Sequence, residues 1–302
     1  MRKDLLSIKE LTREEVFELF ETAKKLKADK EAYREALKGK VLAMIFEKPS
    51  LRTRVTFEVG IYQLGGIGVY LAPQDIQLGK RETVEDVARN LSRWVDGIMI
   101  RTFGQDIVER LAAAATVPVI NGLSDLYHPC QILADLFTLW EKGHKLEEFK
   151  LAYVGDGNNI VHSLLWGAAR TGLNLVIATP EGYEPKKESV EAAKAEGAKV
   201  EVLHDPKEAV REAEAVYTDV WASMGQEKER EKRLKVFPPY QVNRELFSLA
   251  KKEAYFMHCL PAHRGEEVTD EIIDSPNSIV LDQAENRLHI QKAIMLKLMG
   301  GK

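Results

Sequence analysis

Hydroxyl and guanidinium groups are concentrated in the segment Ser50-Leu51-Arg52-Thr53-Arg54, directly after an apolar run at 41–46 that predicts a β-strand. A helical pattern follows, and Ser50 is predicted as its N-cap. The start of a helix offers unpaired backbone N–H groups and a positive dipole end to an anion, and arginine donates paired hydrogen bonds to phosphate oxygens. A capped helix with solvated arginines is the simpler interpretation. Two arginines and two hydroxyls so close together instead favour a phosphate site.

A second polar group follows later strands of the same half of the chain. His128 and Gln131 open a helix just after a strand, and Arg101 ends another strand. His128 can donate to a carbonyl oxygen, and the Gln131 carbonyl can accept from an amide. A lone histidine near a helix start is more often structural, but ligands of open α/β sheets bind at strand ends. Together with Ser50–Arg54, these residues predict a site for a small phosphorylated carbonyl compound.

The second half contains the turn Gly155-Asp156-Gly157-Asn158-Asn159 between a strand and a helix. It partly matches the dinucleotide pattern G-x-G-x-x-G, but Ile160 replaces the third glycine, so the match is weak evidence for NAD. Alternatively, the turn directs Asn159 toward a cleft between domains, where its amide can bind an amino acid. Later segments offer further groups to the same cleft: Asp219, Ser223, Met224, Cys259, Leu260 and Arg287. Taken alone, Asp219 is equally a helix cap, and Cys259 a buried apolar residue.

The elements that must position these groups alternate short apolar runs with helical periodicity, which is typical of α/β proteins with parallel sheets. The predicted strands lie at 41–46, 68–71, 98–101, 117–120, 151–154, 175–178, 199–203, 215–218, 255–258 and 279–281. The predicted helices include 12–27, begun by a Thr12–Glu15 capping box, and 82–94, 107–114, 163–171, 187–196 and 288–298.

Two other stretches concern the organisation of the chain. A helix stops near Gly143, which predicts a domain boundary at 145. Residues 223–239 are highly charged and lack periodicity, so we predict a mobile loop that closes on a ligand.

The composition of the chain limits the classes of protein to which it can belong. The chain has 302 residues, 45% hydrophobic and 30% charged, enough for two globular domains, and its net charge of -4 predicts neither nucleic-acid nor membrane binding. The first residues lack a signal-peptide core. Only two cysteines are present, which favours a cytoplasmic protein without disulfides. Cys-x-x-Cys and His-x-x-x-His spacings are missing, so we expect no metal and no cofactor.

Taken in order, the motifs resemble those of the ornithine carbamoyltransferases along nearly the whole chain. They are Ser50-Leu51-Arg52-Thr53-Arg54, His128-Pro129-Cys130-Gln131, Asp219 with Ser223-Met224-Gly225, and His258-Cys259-Leu260-Pro261. The resemblance implies two domains, each a parallel sheet flanked by helices. Residues 1–145 would bind carbamoyl phosphate, joined by a C-terminal helix at 286–302 that packs back on this domain, and residues 146–285 would bind ornithine.

The resemblance also implies roles for individual residues. Carbamoyl phosphate would be held by Ser50, Leu51 through its backbone, Arg52, Thr53, Arg101, His128, Gln131, Cys259, Leu260 and Arg287, and by Gln77 of a neighbouring subunit in a homotrimer. Ornithine would be held by Asn159, Asp219, Ser223 and Met224, and the catalytic groups would be Arg101, His128, Asp219 and Cys259. Leu51 stands where the family's common form has threonine.

The implied reaction transfers the carbamoyl group of carbamoyl phosphate to the δ-amine of L-ornithine, giving L-citrulline and phosphate in arginine biosynthesis. Three other functions stay open. They are carbamoyl transfer to N-acetylornithine, putrescine or aspartate, an NAD-dependent dehydrogenase, and a non-catalytic amino-acid-binding protein.

Overall fold

A computed structural model describes residues 4–223, 225 and 227–300. The chain divides into two compact units, one formed by Met1–Phe137 with Asn286–Lys302 and the other by Thr138–Glu285. Each unit contains one parallel sheet with helices, as the sequence predicts. The α/β fold class is therefore confirmed.

The first unit is built on a four-stranded sheet in the order β2-β1-β3-β4. Its strands are β1 Val41–Phe46, β2 Ile67–Leu71, β3 Gly97–Arg101 and β4 Val119–Leu123. The helices that begin in it are α1 Arg13–Ala28, α2 Leu51–Gln63, α3 Pro73–Ile76, α4 Val84–Leu91, α5 Gln105–Ala114 and α6 Pro129–Glu141. Thr12 caps α1 through the predicted capping box with Glu15.

The second unit is built on a five-stranded sheet in the order β7-β6-β5-β8-β9. Its strands are β5 Lys150–Val154, β6 Asn174–Ala178, β7 Lys199–Leu203, β8 Ala215–Thr218 and β9 Tyr255–His258. Its helices are α7 Asn159–Thr171, α8 Lys187–Ala195, α9 Pro206–Val210, α10 Arg230–Val236, α11 Arg244–Phe247, α12 Asp270–Ile273 and the start of α13 Val280–Met299.

Burial differs between the central and the edge strands. The central strand β1 is buried from its second residue onward and β3 throughout, whereas the edge strands β2 and β7 alternate exposed and partly buried positions. Strands covered on both faces have continuous apolar sequences. The apolar run of β1 therefore predicts its bounds to the residue.

The final helix returns to the first unit, as predicted. From Asn286 onward α13 belongs to that unit, where Asn286 accepts a hydrogen bond from Lys27 Nζ at 3.0 Å. Lys292 Nζ donates to Gln63 Oε1 at 3.1 Å. A Cβ atom at Gly60 would lie 2.9 Å from Met295 Cε, so α2 and α13 approach each other closely at this glycine.

The strand predicted at 279–281 is wrong, because Val280 begins α13. Before this helix, Ser278 forms only an isolated parallel bridge to Phe256. Helix α13 thus begins eight positions before the predicted 288, within a short apolar run. Periodicity alone cannot distinguish such a run in a strand from one in a buried helix.

Two further predictions differ from the structure. The strand predicted at 117–120 is shifted to β4, and it contains the polar residue Asn121, whose buried amide donates to Leu6 O at 2.9 Å. Residues 223–239 are less irregular than predicted, since they include a 3₁₀ turn at Glu227–Glu229 and helix α10. The buried side chain of α10 is Arg233, so no apolar periodicity revealed the helix.

None of the helices in the described part of the chain is both long enough and apolar enough to cross a bilayer.

Candidate functional site

Helix α2 begins as the sequence predicts. Ser50 has an extended backbone, with φ -162 and ψ 123, and its hydroxyl accepts from the Thr53 N–H at 3.2 Å. Leu51 is 73% exposed, Arg52 is half-buried and Thr53 is buried. The first turn of a helix that directly follows β1 therefore presents a hydroxyl and a guanidinium group beside its unpaired amides.

Arg287 connects three distant segments of the first unit. It lies on α13 and is almost completely buried. One of its nitrogens donates to Thr53 Oγ1 at 3.0 Å and another to Gln131 Oε1 at 2.5 Å. The Gln131 amide nitrogen in turn donates to Asp135 Oδ1 at 2.9 Å. The Gln131 carbonyl, predicted to accept from a substrate amide, is thus engaged by Arg287 in this structure.

His128 lies immediately before α6 and is buried among positive charges. Burial, followed by the charges of Arg287, Arg101 and Arg52, lowers the pKa of its imidazole well below the ordinary value. His128 is therefore neutral at pH 7 and retains one ring N–H as a donor. Around it, Arg52, Arg101 and Arg287 create a positive potential that suits an anion.

The second unit brings Asp219 and Cys259 together at the ends of β8 and β9. The Cys259 thiol donates to Asp219 Oδ1 at 3.0 Å. The Asn158 side chain donates to the other carboxylate oxygen at 2.7 Å. Asp219 is buried, so its carboxylate depends on these polar partners in place of water.

Acidic side chains surround Tyr153 in the second unit, whereas arginines surround His128 in the first. Tyr153 is fully buried, and burial together with the nearby charges of Asp219, Asp156, Cys259 and Glu267 raises the pKa of its hydroxyl well above the ordinary value. Burial is the larger cause, and the acidic neighbours add a negative contribution to the local potential. Such surroundings favour the α-ammonium group of an amino acid.

Asn158 is a polar residue of this cluster that was not predicted from the sequence. It caps α7 by accepting from Ile160 N at 2.9 Å, and its amide also holds Asp219. The predicted Asn159 is the first residue of α7 and is half-buried, and Ser223 is also half-buried. Asparagine is a preferred N-cap, so the cap signal could have identified Asn158. Met224 lies outside the described residues.

The turn at Gly155–Asn159 does not offer the space of a dinucleotide fingerprint. In that fingerprint the second glycine lets a pyrophosphate approach the backbone. Here a Cβ atom on Gly157 would lie 2.3 Å from Pro185 N and 2.4 Å from Glu184 C. The Gly157 N–H also donates to Tyr183 O at 2.8 Å. The chain's own backbone thus occupies the space that a cofactor would need.

The turn after β9 holds Leu260 in an unusual conformation. Leu260 has φ 57, and its N–H donates to His258 Nδ1 at 2.8 Å. The Leu260–Pro261 peptide bond is cis. Cys259 lies between His258 and Leu260, so this turn sets where its thiol points.

Two groups of side chains in the described ranges have the composition of metal ligands, Asp219-His258-Cys259 and His263-Glu266-Glu267. In the first, the Cys259 thiol donates to Asp219, and both ring nitrogens of His258 have hydrogen-bond partners. In the second, Glu266 pairs with Arg230. Internal partners explain both groups, and the absence of a metal stays a prediction.

The predicted site residue Gln77 and the motif residue Cys130 have surroundings of a different kind. Gln77 is exposed and follows the short helix α3 with φ 49, and its backbone oxygen accepts from Lys80 N and Arg81 N. Cys130 is fully buried, and burial raises the pKa of its thiol to about 12. Cys130 is therefore protonated at neutral pH and is not a nucleophile.

Comparison with known families gives matches over both halves of the chain. Residues 3–141 match the carbamoyl-P binding domain of aspartate/ornithine carbamoyltransferase. Residues 147–298 match the Asp/Orn binding domain of the same family.

Full-length relatives agree with these matches. The chain is 56% identical to the ornithine carbamoyltransferase of Thermococcus kodakarensis, with 99% of this chain and 97% of that protein covered. It is 55% identical to the protein of Pyrococcus furiosus named "Ornithine carbamoyltransferase, anabolic", with the same coverage. The solved ornithine carbamoyltransferase of Thermus thermophilus superposes with a TM-score of 0.90 at 50% identity, covering 99% of each chain.

Proposed function

The chain belongs to the aspartate/ornithine carbamoyltransferase family, and from this premise we propose how its residues carry out carbamoyl transfer. The reaction moves the carbamoyl group of carbamoyl phosphate to the δ-amine of L-ornithine and gives L-citrulline and phosphate. The Pyrococcus furiosus relative is named anabolic, which supports a role in arginine biosynthesis.

One observation supports this function most directly: the charged side chains in the two polar clusters are basic around His128 and acidic around Tyr153. Burial lowers the pKa of His128, and Arg287, Arg101 and Arg52 add to this effect; burial raises the pKa of Tyr153, and carboxylates including Asp219 add to that one. A phosphorylated donor suits the first environment and an amino-acid acceptor suits the second. An aspartate acceptor, with its two carboxylates, fits a negative potential poorly.

In this proposal the first unit binds carbamoyl phosphate. The phosphate is held by Ser50, the Leu51 backbone N–H, Arg52, Thr53 and Arg101, because these groups surround the start of α2 or lie beside it. His128 donates its ring N–H to the carbamoyl oxygen. Gln131 and Arg287 already form a hydrogen-bonded pair, and they complete the pocket.

The second unit binds ornithine. Asp219 and Asn159 hold the α-amino end, and Ser223 and Met224 lie in the segment that follows β8. Cys259 and the Leu260 carbonyl face the side-chain amine and the carbamoyl group. Asp219 already accepts from the Cys259 thiol, so one carboxylate fixes both the ligand and the thiol.

The transfer requires a neutral amine at the carbamoyl carbon. A free alkylamine has a pKa of about 10.4, so burial in a partly dry site must favour its neutral form. Attack forms the N–C bond, the C–O bond to phosphate breaks, and the amine nitrogen loses a proton. Arg101, His128 and Thr53 stabilise the oxyanion of the intermediate, and Arg52 stabilises the departing phosphate. Carbamoyl phosphate binds first.

Arg52→Ala tests the phosphate site, with Arg54→Ala as a matched control from the same turn. The Arg54 side chain is directed elsewhere, over the Tyr70 ring at 3.8 Å and toward Glu58. We expect Arg52→Ala to lower kcat/KM for carbamoyl phosphate about 100- to 1000-fold, with an unchanged circular-dichroism spectrum. Arg54→Ala should stay within about threefold of wild type. Near-normal turnover in Arg52→Ala would contradict the assignment.

Acceptor choice is tested with a panel of ornithine, N-acetylornithine, putrescine and aspartate, measuring phosphate release and the carbamoylated product. We expect citrulline from ornithine alone. Ornithine binding without phosphate release would indicate a non-catalytic binding protein. Equal turnover of N-acetylornithine would contradict the role of Asp219.

We also propose that the enzyme works as a cytoplasmic homotrimer in which Gln77 reaches a neighbouring subunit's site. An exposed apolar face supports self-association. It comprises Leu51, Val55, Val59 and Tyr62 of α2 and Ile67 and Val69 of the edge strand β2, all between 37% and 76% exposed. Neither Cys130 nor Cys259 forms a disulfide, which suits the cytoplasm.

A further inference from the structure

A buried histidine–carboxylate pair lies next to the proposed ornithine site and has no role in the mechanism above. His258 ends β9, and both its side chain and that of Glu267 are fully buried. His258 Nε2 lies 3.2 Å from Glu267 Oε1. A buried polar pair of this kind needs an explanation beyond packing.

The hydrogen bonds of His258 fix the position of its proton. The Leu260 N–H donates to Nδ1 at 2.8 Å. A ring nitrogen that accepts a hydrogen bond carries no proton, because a protonated Nδ1 would direct its hydrogen at the Leu260 N–H. The imidazole is therefore neutral, with its proton on Nε2, where it donates to Glu267.

Glu267 is itself held by the backbone. Its Oε1 atom accepts from the His263 N–H at 2.6 Å in addition to the His258 ring. Its second oxygen, Oε2, lies 3.8 Å from His263 Nδ1. The carboxyl group thus has a fixed position from which it selects one tautomer of His258.

The selected tautomer has a structural consequence at Leu260. Leu260 has φ 57, in the left-handed region that residues with a Cβ rarely adopt. Its N–H bond to His258 Nδ1 is the interaction that closes this turn. The other tautomer would replace that bond with a repulsion between two donors. Cys259, whose thiol donates to Asp219 Oδ1, lies within the same turn.

We propose that Glu267 is a positioning residue for the acceptor: it holds His258 in the Nε2–H tautomer, which fixes Cys259 and the Leu260 carbonyl. This inference rests on the proposed function of Cys259 and Leu260. Glu267 should therefore support ornithine turnover through its role as a hydrogen-bond acceptor and not through its charge. A neutral amide oxygen at this position would select the same tautomer of His258. Removal of the acceptor affects ornithine and leaves the carbamoyl-phosphate site unchanged.

Three variants test the proposal. Glu267→Gln keeps an oxygen that accepts from both His258 and His263, whereas Glu267→Met keeps the approximate size without any acceptor. Glu266→Met is the matched control, because Glu266 is adjacent in sequence and pairs with Arg230 instead of His258. For each variant we would measure citrulline formation against ornithine concentration, and carbamoyl-phosphate binding by calorimetry.

We expect Glu267→Met to lower kcat/KM for ornithine about 100-fold, the effect of a displacement of about 1 Å at a reacting group. Glu267→Gln should recover most of this loss, Glu266→Met should match wild type, and the carbamoyl-phosphate Kd should change less than about twofold. Equal losses in the Gln and Met variants, or a parallel loss of carbamoyl-phosphate binding, would overturn the proposal.

Neutron diffraction of the wild-type enzyme tests the tautomer without any variant, so the proposal stays testable if Glu267→Met does not fold. Deuterium on Nε2 and none on Nδ1 of His258 is expected, and deuterium on Nδ1 would overturn it. A wild-type enzyme that forms no citrulline would instead refute the proposed function, which is a different outcome.

Discussion

At the scale of single residues, the electrostatic effect at His128 leads to a measurable property of the folded enzyme. Three arginines and burial keep its imidazole neutral. A neutral imidazole donates a hydrogen bond without adding a fourth positive charge to the pocket. This arrangement suits the polarisation of a carbonyl group better than an imidazolium that would repel the neighbouring guanidinium groups.

The lowered pKa of His128 predicts how stability depends on pH. Below about pH 6.5 the unfolded chain takes up a proton at this histidine while the folded chain does not. The free energy of unfolding therefore decreases as the pH is lowered. The loss is about 1.4 kcal/mol for each pH unit until the folded pKa is reached, and it is absent above pH 7. Urea unfolding of wild type and His128→Gln between pH 7.5 and 5 measures this. Parallel profiles for the two proteins would contradict the prediction.

The sequence predicted these residues unevenly, and the reasons are physical. Ser50 was found because an N-cap requires a particular residue type at a particular place. The contact of Arg287 with Thr53 and Gln131 joins residues far apart in the chain, and no local pattern encodes it. His258 and Glu267 were missed as a pair because their relation depends on a turn with a left-handed leucine.

At the scale of elements, helix α10 depends on one buried arginine. Arg233 contacts Asp156 at 2.9 Å and donates to Trp221 O at 2.6 Å, and its guanidinium group lies 4.8 Å from the centre of the Tyr183 ring. It thus links α10 to the turn after β5 and to the residue two positions before Ser223. Burial raises the pKa of Asp156 to about 6 in spite of this ion pair.

Arg233→Met should destabilise the fold by about 3–5 kcal/mol, because it leaves Asp156 buried without its cation. The ornithine KM should also rise, since the backbone near Ser223 loses its anchor. Thermal unfolding and steady-state kinetics measure the two effects. The double variant Arg233→Met with Asp156→Asn should recover part of the stability. Unchanged stability in the single variant would mean that the ion pair contributes nothing.

Most helices and strands were predictable from the sequence, apart from those that lack a local apolar pattern. Strands β1, β7, β8 and β9 match their predicted bounds, because apolar runs and polar boundaries are local signals. Helix α10 has a charged residue in place of an apolar face. The apolar run at the start of α13 is too short for its periodicity to distinguish a helix from a strand.

At the scale of the whole molecule, the apolar face of α2 and β2 has the clearest consequence. Val55 and Tyr62 are 45% and 76% exposed and lie on the same side of α2, and β2 is an edge strand. Exposed apolar patches of this kind mark association surfaces.

Val55→Glu combined with Tyr62→Glu should convert the proposed trimer into monomers in sedimentation experiments. Turnover should fall when the trimer is lost, because each site would then lack Gln77 of the neighbouring subunit. Trp94→Glu is a matched control, since Trp94 is 70% exposed but lies outside α2 and β2. A double variant that sediments like wild type would exclude this face as the contact.

The passage of α13 from one unit into the other has a consequence for synthesis. The sheet of the first unit is translated early, yet Arg287 and the partners of Lys27 and Gln63 belong to 286–300, which emerge after the entire second unit. Domains commonly fold as they leave the ribosome. The first unit is therefore begun first but completed second. Its cluster of Arg52, Arg101 and Arg287 can form only after the whole second unit has been translated.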